Sequence, residues 1–457
     1  MFKKILVANR GEIAVRIIRA CKEMGIKSVA IYSKADENSL HKVLANEAVC
    51  VGEASATDSY LNIERIISAA IATGCDAIHP GFGFLSENSY FARMVEKCGL
   101  TWIGPRPEVM DLMGNKAWAI DTMIKAGVPV IPGSHKAVTL EEGKKIADEI
   151  GYPVLIKASL GGGGKGIKEV KDPRDFEFLY KEAQEEALKF FGNGEIYVEK
   201  VVLNPKHIEV QVLCDKHGNR IHLFERNCSL QRRHQKMLEE APCQSISKGL
   251  KEKLYASALD ACKMVNYDSV GTIEFLVDKD ENYYFIEMNT RIQVEHSVTE
   301  TITNVDIVKN MIKVAYGLPL QYKQEDIKCH GYAMECRINA EDFMHDFRPT
   351  PGKITFMHTP GGMGIRIDTA AYTGYEISPF YDSMILKIIV FSKTRHEVIR
   401  KMRACLEELI IEGVDTTIEF HYLVLHSVDF ILGNYDTGFF DKFAKELTEH
   451  AKRIQQA

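Results

Sequence analysis

Two hydrophobic periods alternate along the first hundred-odd residues. Short apolar runs at KKILVANR (3–10), SVAIYS (28–33), 48–51, 76–79 and 101–103 predict strands. Positions 12–24, 61–72 and 87–97 carry the spacing of amphipathic helices. This alternation predicts a parallel α/β sheet with helices on both faces, whose ligands gather at the carboxyl ends of strands. HPGFGFLSEN (79–88) is a Gly/Pro loop at such an end, open to two readings: a plain connection or a direct ligand contact.

From about residue 115 the pattern changes to α+β. KAWAIDTMIKAGVPV (116–130) reads as a helix stopped by Gly and Pro, and PVLIKAS (153–159) as a strand. LGGGGKGIKEV (160–170) matches a dinucleotide fingerprint by letter at Gly161, Gly163 and Gly166. That fingerprint needs a following helix, and IKEV is short and alternating, so the segment predicts a hairpin with a glycine tip. Such a tip can fold over phosphates and offer them backbone N–H groups. EIYVEK (195–200), HIEVQVLCD (207–215) and IHLFER (221–226) predict strands, and 249–265 and 300–316 predict helices. A last section begins near 330 with strands YAMECRIN (332–339) and SMILKIIVFS (383–392), then a helix at 394–410; 346–353 reads as a loop.

The densest chemistry lies in EMNTRIQVE (287–295). An extended backbone there would put Glu287, Asn289, Arg291, Gln293 and Glu295 on one face. Upstream, TIEFLV (272–277) and YYFI (283–286) flank the polar DKDEN. A hairpin with a four-residue loop at 279–282 would pair Asp278 with Tyr283 and set Glu274 opposite Glu287. Opposed like charges destabilise a sheet, and a divalent cation between them removes the conflict. Mg²⁺ is typically held by one or two carboxylates plus substrate phosphates, so the hairpin predicts half of a metal–nucleotide site.

The whole chain narrows the class. Its 457 residues are 46% hydrophobic and 26% charged, enough for two or three domains with real cores. The net charge of −6, without a long basic run, gives no support for nucleic-acid binding. No apolar run approaches the ~20 residues of a membrane span. The 11 cysteines include no CxxC pair, which points to reduced thiols in a cytoplasmic setting and away from structural zinc.

Together these motifs resemble the biotin carboxylase component of biotin-dependent carboxylases, an ATP-grasp family. The resemblance runs from ANRGEIAVRIIRA (8–20) to SPFYDSMILK (378–387), more weakly to the end. It includes HPGFGFLSEN, GGGGKG, EVQV, ERNCSLQRRHQK (225–236), EMNTRIQVEH (287–296) and ECRINAED (335–342). Lys165 stands where the family often has Arg, and Ser297 where Pro is common. The implied architecture is an N-terminal parallel α/β domain (1–114), a central ATP-grasp domain (115–329) with a mobile glycine-rich lid around 132–203, and a C-terminal α+β domain (330–457).

The resemblance also implies a reaction. ATP and bicarbonate give carboxyphosphate and ADP, and the carboxyl group moves to N1′ of biotin. It places Lys116 and Lys157 on ATP phosphates, with Gly163 and Gly164 in the lid. Glu199, Lys200, Val201 and Val202 line the adenine pocket, and His207 and His234 lie close to the nucleotide. Glu274 and Glu287 hold Mg²⁺ (or Mn²⁺), with Asn289 nearby. Lys236, Arg291, Gln293, Val294 and Glu295 surround bicarbonate; Glu295 is the base. Arg337 faces the developing biotin enolate. A base beside fixed cations stays ionised at neutral pH.

Implied partners are a separate biotin carboxyl carrier protein, since no Met-Lys-Met attachment segment occurs in the chain, and carboxyltransferase subunits. A homodimer would use Arg19, Glu23, Met363 and Arg366; Arg19 and Glu23 are four apart and could equally be a local ion pair. Acetyl-CoA carboxylase, which feeds fatty acid synthesis, is the first expectation, with pyruvate or propionyl-CoA carboxylase as alternatives. A different ATP-grasp ligase joining a carboxylate to an amine would share the nucleotide site but not RIQVEH and RRHQK.

Overall fold

The computed structural model describes residues 1–158, 167–191 and 193–456. The glycine tip, with Gly163 and Gly164, lies outside them.

The N-terminal unit is a five-stranded parallel sheet in the order Glu47–Gly52, Lys27–Ser33, Lys4–Val7, Ala77–His79, Thr101–Trp102. Ile5 and Val7 pack on one face with Ile13 and Ile17 of helix Gly11–Glu23. Leu6 and Ala8 pack on the other with Ile66 of Ile63–Ala72 and Phe91 of Ser89–Lys97. A strand covered on both faces has no polar side, hence the unbroken apolar run in the sequence.

A small antiparallel sheet follows, ordered Ile167–Val170, Val154–Ala158, Ile196–Lys200. Helices Leu140–Ile150 and Phe176–Phe191 supply Ala147, Phe176, Tyr180 and Ala183 to its core.

The centre is an eight-stranded antiparallel sheet, ordered Tyr283–Asn289, Val270–Val277, Lys206–Cys214, Arg220–Arg232, Gln235–Ala241, Tyr332–Asn339, Met384–Ser392, Ile365–Thr369. It runs without interruption across residue 330, because Leu238–Ala241 pair with Cys336–Ala333. On the half that ends in Tyr283–Asn289, Ile208, Val210, Val212, Ile273 and Phe275 pack on helix Lys248–Met264. On its C-terminal half, Met334, Cys336, Ile338, Leu386 and Ile388 pack on Arg395–Glu408 and Ile418–His426. The alternate residues of these strands, many of them charged, face the other side.

Three local expectations are corrected. The hairpin pairs Val277, not Asp278, with Tyr283, which makes its loop one residue longer than expected, and a bulge before Glu287 restores Glu274 opposite Glu287. The chain is not extended over 291–295: the strand ends at Asn289, and Glu295 is the N-cap of helix His296–Thr303. The helix expected over 300–316 is two, His296–Thr303 and Ile307–Ala315, parted at Asn304 in the left-handed region (φ 57°) and restarted by the Asp306 cap on Lys309 N.

Candidate active site

Register aligns four charged residues across four adjacent strands: Glu287 opposite Glu274, Glu274 opposite Glu209, Glu209 opposite Arg226. Three carboxylates in a row need cations. Arg226 is fully buried; it pairs with Glu209 and donates to Gln211 Oε1 (2.7 Å), Gln293 Oε1 (2.7 Å) and Thr299 Oγ1 (2.9 Å). Lys236 reaches the row from Gln235–Ala241, with Nζ 2.5 Å from Glu209, 2.7 Å from Glu274 and 2.7 Å from Glu295.

Glu295 sits between two cations. One oxygen accepts from Lys236, and the other from Arg337 Nη2 at 3.0 Å; Arg337 also pairs with Glu239. Burial by itself would raise the Glu295 carboxyl, but Lys236, Arg337 and Arg226 pull it well below the ordinary range. Burial raises Glu239 instead, to about 7. The C-terminal half of the sheet thus brings Arg337 to a side chain held at the start of a helix in the central unit.

At the hairpin, Glu274 accepts from Asn289 Nδ2 (2.9 Å) and Gln293 Nε2 (2.7 Å) in addition to Lys236, and His207 Nε2 lies 2.9 Å from its other oxygen. Against the pull of burial, Lys236 and His207 hold its carboxyl well below the usual range. Glu287 opens to the cleft, yet partial enclosure and the facing Glu274 charge push it up. A divalent cation beside Glu287 would relieve that repulsion, so the donor set fits Mg²⁺. His207, Glu209 and Glu274 also offer donor atoms within 4.8 Å of one another. The Lys236 ammonium already lies on two of these three, which leaves the Glu287 side for a metal.

The nucleotide-side residues are less tightly gathered. Lys116 is exposed at the start of helix Lys116–Lys125, and its charge acts on Glu287. Lys157 pairs with Glu199 on the neighbouring strand. Lys200 is turned to the carbonyl oxygens of Gly151 (2.7 Å) and Tyr152 (3.3 Å). Val201 and Val202 follow strand Ile196–Lys200. His234 is exposed in the left-handed turn (φ 66°) beside Arg233.

Arg291 does not stand beside Glu295. Its Nε lies 2.9 Å from Glu87 Oε2 and its Nη2 donates to Asn289 Oδ1 at 2.9 Å. The 79–88 loop thereby reaches the site through Glu87, which also accepts from Thr290 N. The glutamates nearest Arg337 in sequence, Glu335 and Glu341, are not its ion-pair partners, which are Glu239 and Glu295. Sequence reasoning gave no role to Glu209, Arg226, Glu239 or Glu87. The available signal was polar alternation at His207, Glu209 and Gln211 inside a strand whose intervening residues are all core.

Three family models match the chain: biotin carboxylase, N-terminal domain over 1–110; carbamoyl-phosphate synthase L chain, ATP binding domain over 115–323; and biotin carboxylase C-terminal domain over 335–442. Biotin carboxylase 1 of Bacillus subtilis is 50% identical over 445 residues, covering 97% of this chain and 99% of that protein. A pyruvate carboxylase subunit from Methanothermobacter thermautotrophicus is 48% identical over 455 residues, 99% and 92% of the two chains. The biotin carboxylase domain dimer of Hydrogenobacter thermophilus 2-oxoglutarate carboxylase, solved with MgADP, ADP and bicarbonate, superposes with a TM-score of 0.91 at 50% identity, covering 97% and 98%.

Proposed function

The chain belongs to the biotin carboxylase family of ATP-grasp ligases, and on that footing we propose how its own residues carry the reaction. The observation that supports the reading most is Glu295, ionised between Lys236 and Arg337.

Bicarbonate lies near Lys236, Arg291, Gln293 and Val294. Glu295 takes its proton, and the freed oxygen attacks the γ-phosphorus of ATP; the bond from that phosphorus to the ADP oxygen breaks, giving carboxyphosphate and ADP. A cation held by Glu274, Glu287 and Asn289 neutralises phosphate charge when bound. Lys116 and Lys157 position the phosphates, Gly163 and Gly164 cover them, and Glu199 to Val202 with His207 and His234 receive the nucleoside. Carboxyphosphate then yields its carboxyl group to N1′ of biotin, as the bond from that carboxyl to the phosphate oxygen breaks and the released phosphate takes the N1′ proton. Arg337 stabilises the negative charge that builds on the ureido oxygen as N1′ loses its proton.

The carrier is a biotinylated protein acting in trans, and the carboxyltransferase is a separate partner. Acetyl-CoA is the proposed final acceptor, in fatty acid synthesis. Relatives named for pyruvate and 2-oxoglutarate carboxylases share the whole length of this chain, so the acceptor is chosen elsewhere. The chain works as a homodimer through the face that carries Arg19, Glu23, Met363 and Arg366, in a cytoplasm that keeps its 11 unpaired cysteines reduced. Among the described residues no helix is long and apolar enough to cross a membrane.

The deciding measurement is ADP release by the purified chain with Mg²⁺, with and without bicarbonate and free biotin. Cleavage that depends on bicarbonate and rises with free biotin is expected. Cleavage driven by an amine acceptor and indifferent to bicarbonate would transfer the chain to the carboxylate–amine ligases.

A further inference from the structure

Lys387 is a single ammonium inside the apolar run ILKIIVF, and its side chain is fully buried. Register sets it opposite Arg337 on one side and Asp368 on the other. Two cations directly opposed in a sheet oppose one another, and a buried lysine without partners would lose its charge. Here the ammonium is kept. Its Nζ donates to the backbone oxygen of Val294 (2.5 Å) and to Ser297 Oγ (3.0 Å), with Glu12 3.3 Å, Glu335 3.8 Å and Asp368 4.0 Å away. Ser297 in turn donates to Asp368 Oδ2 at 3.2 Å.

Val294 and Ser297 bracket Glu295. The stretch between Asn289 and His296 is neither helix nor strand; beyond the turn that His296 closes on the Gln293 carbonyl (N to O 3.3 Å), its path rests on anchors from outside. Lys387 is such an anchor, and it draws on all three parts of the chain: Glu12 from the first helix, Val294 and Ser297 from the central unit, Glu335 and Asp368 from the C-terminal strands.

We propose that Lys387, with Ser297 as its second tether, is a positioning residue that aims the Glu295 carboxylate by holding the Val294 carbonyl. Ser297 occupies a position where the resembling family commonly has proline, so this chain has a side-chain tether there that a proline cannot supply. The inference rests on the reading of Glu295 as the base.

The test is steady-state kinetics of bicarbonate-dependent ATP cleavage in Lys387→Met/Glu12→Gln, which preserves volume and removes one anion with the cation. A fall of at least about tenfold in kcat/KM for bicarbonate is expected, in line with misplacement of a catalytic group. The KM for ATP and the affinity for MgADP should stay within about twofold. Ser297→Ala should lower the same parameter by about threefold or more and guards against a double variant that does not fold. Unchanged kcat/KM in a folded double variant, or in Ser297→Ala if the double variant does not fold, overturns the proposal; so does a parallel loss of MgADP binding. Glu295→Gln measured alongside separates the two ideas. If it keeps full activity, the base reading fails; if it is inactive while the Lys387 variant is normal, only the tether fails.

Discussion

Glu274 and Glu287 face each other across one hairpin, yet their carboxyls are driven in opposite directions, Glu274 down by Lys236 and His207, Glu287 up by enclosure and by Glu274 itself. The pair is an asymmetric site with one satisfied oxygen donor and one frustrated donor at the cleft. A cation arriving with ATP would complete it.

Glu287→Gln should therefore raise the Mg²⁺ concentration for half-maximal activity by at least about tenfold, since even indirect partners of a metal site are worth that much. Titrating Mg²⁺ at saturating ATP measures it. An unchanged requirement would remove Glu287 from the metal site.

Arg337 holds two buried carboxylates, Glu239 and Glu295. Arg337→Ala strands both and should cost about 3–5 kcal/mol of stability, so it cannot separate catalysis from folding. Arg337→Lys keeps a charge but loses the planar fork. It should slow biotin carboxylation by about 10²–10³ with KM for ATP unchanged. Tm, biotin-independent ATP cleavage and biotin carboxylation on one preparation decide; equal losses in all three would mark Arg337 as structural.

Among the described residues, burial lowers the pKa of five buried histidines and holds them neutral: His41, His79, His222, His296 and His421. Burial pulls His79 down to about 3, and His41, His222 and His421 to about 4, from an ordinary 6.5. Between those values the unfolded chain binds protons that the folded chain refuses. Their stabilising effect is thus complete above pH 6.5 and lost as pH falls toward 4, by up to about 1.4 kcal/mol per pH unit for each group. His79 Nδ1 accepts from Gly81 N at 3.1 Å, a bond that an asparagine oxygen can also accept. Urea midpoints at pH 7.5 and 5 should differ less in His79→Asn than in the parent. An identical difference would mean that His79 does not titrate in this way.

Arg19, Glu23 and Arg366 line one polar hollow of about 500 Å³. Glu23 is taken by Lys309 at 2.5 Å, so the local Arg19–Glu23 pair gives way to one between helices. Met363 is 95% exposed beside Gly362 and Gly364. Met363→Asp should leave Tm of the monomer within a degree or two and weaken a dimer that sedimentation detects at micromolar concentration. A parent that sediments only as monomer would dispose of this face as a contact.

Much of this was readable because it is periodic and local. The parallel sheet follows from strand and helix runs, and Glu274 opposite Glu287 follows from counting along a hairpin, although a bulge had to cancel an error of one residue at its turn. What was not readable depends on register between strands that are distant in sequence. Glu209 and Arg226 meet Glu274 only once three strands are aligned, and Glu239 and Arg337 meet across nearly a hundred residues of sequence. The assumption that failed was continuity: after Asn289 the chain turns, so Arg291 goes to Glu87 while Glu295 goes to Lys236.

The continuous sheet has a mechanical consequence. A hinge near residue 330 would have to tear four register pairs, Leu238–Cys336 through Ala241–Ala333. Lys236 and Arg337, the two cations that flank Glu295, therefore ride on a single plank. Among the described residues, the small sheet carrying Lys157 and Glu199 shares no ladder with that plank. The proposed nucleotide contacts and the proposed carboxyl-transfer contacts are thus built on different sheets, so a ligand that immobilises the first need not disturb the second.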